Sequence, residues 1–158
     1  INSSAYKKAL EAIAPDIEVY SKACPLFVPL AEEGWTEGDV PELIATRYLA
    51  TLKKLAIDVL VLGCTHYPLL KPTIQKVMGR GIRLVDSAEE TAKEIQRILG
   101  ERGLLNNGTG ESLREYFLTD VSDTFVSVAG RFLGEKIDRI EMVDIKGTAL
   151  RPPPGIDS

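Results

Sequence analysis

Histidine and tryptophan each occur once in the 158 residues, and cysteine only twice. One imidazole and two thiols, with Cys24 and Cys64 forty positions apart, do not match the ligand spacing of a closed zinc site. Two cysteines in an acidic chain with no secretory leader pattern point to a reducing, cytoplasmic setting rather than a disulfide framework. No apolar run approaches the roughly 18 to 20 residues of a membrane span. Acidic residues outnumber basic ones, 23 to 19, and no basic stripe is present, so a nucleic-acid footprint is unsupported. Two catalytic signatures are also missing. The "GTG" at 108–110 lacks the Gly-Lys-Ser/Thr that would continue a phosphate loop, and no Gly-x-Ser-x-Gly elbow occurs.

What remains is an ordinary globular composition, 44% hydrophobic and 27% charged, long enough for one domain with a real core. Its patterning alternates. A helix is expected from Ser3 to about Ala14, capped by the preceding polar residues and stopped near Pro15. "IEVYSKA" (Ile17–Ala23) alternates like a strand, and "CPLFVPLAEEGW" (Cys24–Trp35) reads as a long loop because of its prolines and glycine. Asp39, Pro41 and Glu42 open a helix whose apolar residues recur through Leu55. "DVLVL" (Asp58–Leu62) has the near-continuous apolar character of a strand buried on both faces of a parallel sheet. A helix over Pro68–Met78, a strand at "IRLVD", and a helix from Ser87, with Glu90 completing a capping box, follow. "NNGTGES" is a loop, "REYFLT" a strand, Ser122–Leu133 a helix and "IEMVDI" a last strand. Repeated strand–helix alternation predicts an α/β fold with a parallel sheet. The proline-rich "KGTALRPPPGIDS" is expected to be a frayed tail.

In such sheets, ligands sit beyond the carboxyl ends of the strands. Gly63-Cys64-Thr65-His66 follows "DVLVL" at that end, as does Asp86-Ser87. A thiol beside an imidazole and a helix N-terminus favours the thiolate, the reactive form. Thr65 adds a hydroxyl and an N–H able to hold a carboxylate, and Glu32 could orient the imidazole. The pattern alone leaves two readings open. Cys64 and His66 form a reactive pair, or Cys64 is a small hydrophobe and His66 a hydrogen-bonded loop residue.

"LGCTHYPLL" (Leu62–Leu70), "CPLFVPLAEEGW" upstream and "LVDSA" (Leu84–Ala88) together closely resemble the glutamate racemases of the aspartate/glutamate racemase superfamily, over residues 1–145. Related aspartate racemases usually carry glutamate where His66 stands, so His66 points to glutamate as the substrate. The resemblance implies a cofactor- and metal-independent isomerase of cell-wall synthesis, with two pseudo-symmetric α/β domains facing across a cleft. Each domain contributes one cysteine, and the two exchange the α-proton from opposite faces. It implies that Cys64 is the second-half base, with Thr65 and His66 as its substrate-binding and assisting neighbours. Glu32 would stand behind His66, and Cys24 would be structural.

The first-half Cys-Asn-Thr motif is absent, as are the Asp-Ser and Tyr-Gly segments of that half. The resemblance is therefore to the carboxyl-terminal half, cut just upstream of Asn2, with a strand lost there. Residues 1–86 would form the second domain, 87–145 would return to complete the first, and 146–158 would be a flexible tail. The expected partners are glutamate and the missing amino-terminal half, with homodimerisation open and neither nucleic acid nor membrane involved. The alternatives are a non-catalytic α/β remnant, a small amino-acid-binding module, or a racemase of another acidic amino acid.

Overall fold

A computed structural model describes residues 4–106, 108, 110, 113–120, 123–137 and 140–144, without the side chains of residues 123 and 124. They fall into two compact units, one within Ile1–Leu105 and one within Asn106–Ser158. The first holds helices α1 (Ala5–Ile13), α2 (Phe27–Glu33) and α3 (Asp39–Lys54), then strand β1 (Val59–Leu62). A 3-10 turn at Tyr67–Leu70, helix α4 (Lys71–Met78), strand β2 (Arg83–Asp86) and helix α5 (Ser87–Glu101) complete it. Strands β1 and β2 run parallel, in a register that sets Val59 against Arg83 and Leu62 against Asp86. Phe27, Leu30, Ala45, Leu49, Leu52, Leu62, Leu70, Ile74 and Met78 form the core between the helices and one face of this sheet.

The second unit is a smaller β-α-β: β3 (Tyr116–Leu118), α6 (Asp123–Leu133) and β4 (Ile140–Met142). β3 and β4 are parallel, Tyr116 opposite Ile140. The parallel α/β architecture expected from the alternation is what both units show. Part of the 106–112 loop and all of the 146–158 tail lie outside the described residues.

Several local expectations need correction. Ile17–Ala23 is not a strand. Its alternation is real, but a strand needs a neighbour for its N–H and C=O groups, and β1 pairs with β2 instead. The stretch at Cys24–Trp35 is not a long loop, because α2 occupies most of it. Pro29 lies in the first turn of α2, where N–H groups have no intrahelical acceptor, so it is tolerated there. Gly34 then closes the helix at φ 76°, a conformation that glycine adopts without penalty. The helix expected over Pro68–Met78 is two pieces. Pro72, in the first turn of α4, has no N–H to continue the preceding turn, and the backbone tightens to 3-10 before it.

α1 begins at Ala5, and Ser4, at φ 52°, makes no side-chain cap bond. The cap of α5 is Asp86 rather than Ser87: its Oδ1 accepts the Glu89 N–H at 2.7 Å. Glu90 instead accepts from Lys93. Finally, β1 is buried on one face only. Leu62 is 2% exposed, whereas Val59 and Val61 are 48% and 38% exposed.

Candidate active site at the carboxyl end of β1

The apolar run of β1 ends at Leu62, and Gly63 follows where space is short. A Cβ there would lie 3.3 Å from Tyr6 Cε2, so a larger residue would push against that ring. Past Gly63 the chain turns tightly: Tyr67 N–H donates to the Cys64 carbonyl at 3.2 Å, and Leu69 N–H to the His66 carbonyl at 3.1 Å. These bonds present Cys64, Thr65 and His66 on one turn directly beyond the sheet. Cys64 and His66 are half-buried and Thr65 is exposed, so the group is reachable by a small solute.

The imidazole has two named neighbours. Nδ1 lies 3.3 Å from Thr65 Oγ1, and Nε2 lies 3.4 Å from Glu32 Oε1. An ionised carboxylate only accepts, so the proton of a neutral ring belongs on Nε2, leaving Nδ1 to accept from the threonine hydroxyl. A second proton on Nδ1 would then point at the hydroxyl oxygen.

Glu32 arrives on α2, a seven-residue helix too short to be held by its own hydrogen bonds. Phe27, Leu30 and Ala31 bury its inner face. The turn ahead of it is tied to the site. Tyr67 Oη donates to the Cys24 carbonyl at 3.2 Å, and the same carbonyl accepts Phe27 N–H at 3.0 Å. The Phe27 ring meets Tyr67 edge-on at 5.2 Å and Tyr48 edge-on at 5.6 Å. The Tyr48 hydroxyl accepts Leu26 N–H at 3.4 Å. Burial, then the nearby Cys24 and Cys64 thiols, pushes the Tyr67 hydroxyl up to about 12, so it remains a donor throughout the neutral range.

The two thiols differ. Cys24 is 4% exposed, its Sγ lies 3.9 Å from the Lys22 carbonyl, and burial pushes it up to about 11. Cys64 is free and half-buried on the turn after β1.

A further group stands beside the turn. Asp86, at the end of β2, is nearly buried, and its Oδ2 receives Lys71 Nζ at 2.9 Å. Lys71 begins α4 and also reaches Glu89 Oε2 at 2.8 Å. The Glu89 N–H, then Lys71, holds the Asp86 carboxyl below the usual carboxylate range. Both ends of the Gly63–Leu70 stretch thus meet Asp86, one through the β1–β2 register at Leu62 and the other through Lys71. The sequence reading noticed Asp86 but not Lys71, and missed the Tyr67 tether. Neither partner carries a spacing signal, since each bond joins residues far apart in the chain. Among the described residues, no three His, Cys, Asp or Glu side chains gather as metal ligands would, and no helix is long and apolar enough to cross a membrane.

Fold and site together define a parallel-sheet α/β protein with a thiol, a hydroxyl and an imidazole on one turn at a strand's carboxyl end. Within that class, the relatives are glutamate racemases. The chain is 49% identical to the glutamate racemase of Geobacter metallireducens over 146 residues, covering 92% of this chain and 54% of that protein. It is 44% identical to that of Neisseria meningitidis, covering 92% and 53%. Among solved structures it is similar to glutamate racemase from Francisella tularensis in complex with D-glutamate, with TM-score 0.80, 36% identity, and coverage of 90% of this chain and 53% of that one. The Thermus thermophilus enzyme in complex with β-chloro-D-alanine matches at TM-score 0.76, with 39% identity and coverage of 92% and 53%. No protein-family profile matches the chain. The resemblance carried by the motifs is thereby borne out, and the fold is the racemase-type α/β fold. The chain spans about half the length of the curated relatives it matches.

Proposed function

We propose that this chain supplies one wall of a two-base glutamate racemase, interconverting L- and D-glutamate for peptidoglycan synthesis. The carrying observation is the turn at the carboxyl end of β1, where His66 Nε2 faces Glu32 Oε1 at 3.4 Å and Cys64 stands on the same turn. In this reading, the Cys64 thiolate takes the α-proton from one face of glutamate, or the thiol returns one to it. His66, held by Glu32, assists the proton at Nδ1, and Thr65 holds a substrate carboxylate. Inversion needs a second proton donor on the opposite face. Cys24 does not fill that role, because its thiol is buried and stays protonated at neutral pH.

In this reading the chain corresponds to the carboxyl-terminal half of such a racemase. On that correspondence, residues 1–86 belong to the second racemase domain and 87–145 to the segment that completes the first. The reading places the protein in the cytoplasm, where two free thiols persist, and assigns the reaction to side chains without a cofactor.

The test is circular dichroism of L-glutamate over time. The 158-residue chain alone should leave the signal unchanged, while the chain joined to an amino-terminal half of the relatives should let it decay to zero as the racemate forms, with or without EDTA. Cys64→Ala should then abolish turnover. Turnover by the 158-residue chain alone at the rate of the joined protein would place the second base within these residues and refute the half-site reading.

A further inference from the structure

We infer that Tyr67 is a positioning residue for the imidazole: it ties the turn bearing His66 to the turn that launches α2, and so sets the distance between Glu32 and His66. The geometry leaves it this role. Glu32 lies near the end of a two-turn helix whose first turn is anchored at the Cys24 carbonyl. Tyr67 holds that carbonyl through its hydroxyl at 3.2 Å and packs edge-on against Phe27, the first residue of α2. It is also the chain neighbour of His66, with its own N–H bonded to the Cys64 carbonyl. One side chain therefore grips α2 while its backbone closes the reactive turn.

Tyr48 is the natural contrast. Its hydroxyl accepts from Leu26 on the same α2 turn, and its ring also meets Phe27, but it belongs to α3 and ties α2 there. Losing the Tyr48 hydroxyl frees the Leu26 N–H and leaves the His66 turn held to α2 through Tyr67. The Tyr67 hydroxyl bonds from the His66 turn to the turn that launches α2.

The experiment uses the 158-residue chain and two readouts. The first is the rate of Cys64 alkylation by iodoacetamide at neutral pH, resolved by peptide mapping. The second is the long-range proton–nitrogen spectrum of the imidazole, unambiguous because the chain has one histidine. Glu32→Gln and Tyr67→Phe should each slow Cys64 alkylation by about three- to tenfold, the span one net hydrogen bond commands. The double variant should be no slower than the slower single one, because both remove the same restraint. Both singles should move the imidazole resonances in the same direction, and Tyr48→Phe should leave rate and spectrum as in the wild type. Multiplying effects in the double variant would overturn the inference. So would a wild-type rate and spectrum in Tyr67→Phe or in Glu32→Gln, or a Tyr48→Phe variant matching Tyr67→Phe.

The rate arm rests on the proposed reading of Cys64. If Cys64 in the wild type reacts no faster than Cys24, that reading fails while the imidazole spectra still decide the role of Tyr67.

Discussion

Replacing Asp86 with alanine removes two interactions at once, and their sizes can be separated. The first is the cap of α5, where Asp86 Oδ1 accepts the Glu89 N–H at 2.7 Å, worth about 1 kcal/mol. The second is the pair with Lys71. Breaking a fully buried pair costs roughly 3 to 5 kcal/mol when the surviving charge is left stranded. Lys71 is not stranded: its side chain is 36% exposed and keeps Glu89 at 2.8 Å, so this contribution falls to about 1 kcal/mol. Asp86→Ala should therefore lose about 2 kcal/mol in all. Asp86→Asn, an equally good cap, should lose only the charge contribution, about 1 kcal/mol. The assay is urea unfolding followed by Trp35 fluorescence, since the single tryptophan reports on the first unit alone. The folded carboxyl lies below its ordinary value, so its contribution is fully present above the unfolded value near ~4 and is lost as pH falls through the lower folded value. The gap between wild type and Asp86→Asn should thus be flat above about pH 5 and close in acid. Asp86→Ala as stable as wild type, or a gap that widens in acid, would refute the clamp as drawn.

The remaining predictions concern the thiols. Pulse alkylation near neutral pH should label Cys64 and spare Cys24, which is 4% exposed and, with a thiol near 11, is ionised in about one molecule in a thousand at pH ~8; preferential labelling of Cys24 would sink the site assignment. Cys24 should also give the protein an alkaline weakness. Its folded thiol is harder to ionise than the unfolded one near ~8.5, so its neutral packing is fully present below that value and stability drains away as pH rises toward 11. Cys24→Ala should remove that part of the alkaline slope in urea midpoints, and an unchanged slope would place its origin elsewhere.

The strand–helix order was readable because most apolar runs begin or end at a glycine, a proline or an acidic residue that punctuates them. Asp58–Leu62, the α3 region and the β3–α6–β4 order follow from such signals. Ile17–Ala23 was misread because alternation says which face is apolar and nothing about whether a neighbouring strand exists to pair with. Cys24–Trp35 was misread for the opposite reason: two prolines suggested a loop, yet their positions spare the hydrogen bonds of a short helix. At the site, the Cys64-Thr65-His66 turn was legible from the end of β1. Tyr67 and Lys71 were not, because their partners, the Cys24 carbonyl and Asp86, are brought to them only by the packing of α2 and β2.

The bare side of β1 has a consequence for how such a chain behaves in a tube. Val59 and Val61 leave an apolar row facing water, on a strand whose second edge has no partner among the described residues. Any polypeptide that covers this row binds the folded form and not the unfolded one, and so adds to its stability by mass action. The unfolding free energy of the solitary chain is then a floor. It should climb with protein concentration wherever copies cover one another, and a melting point quoted without that concentration describes the solution as much as the molecule.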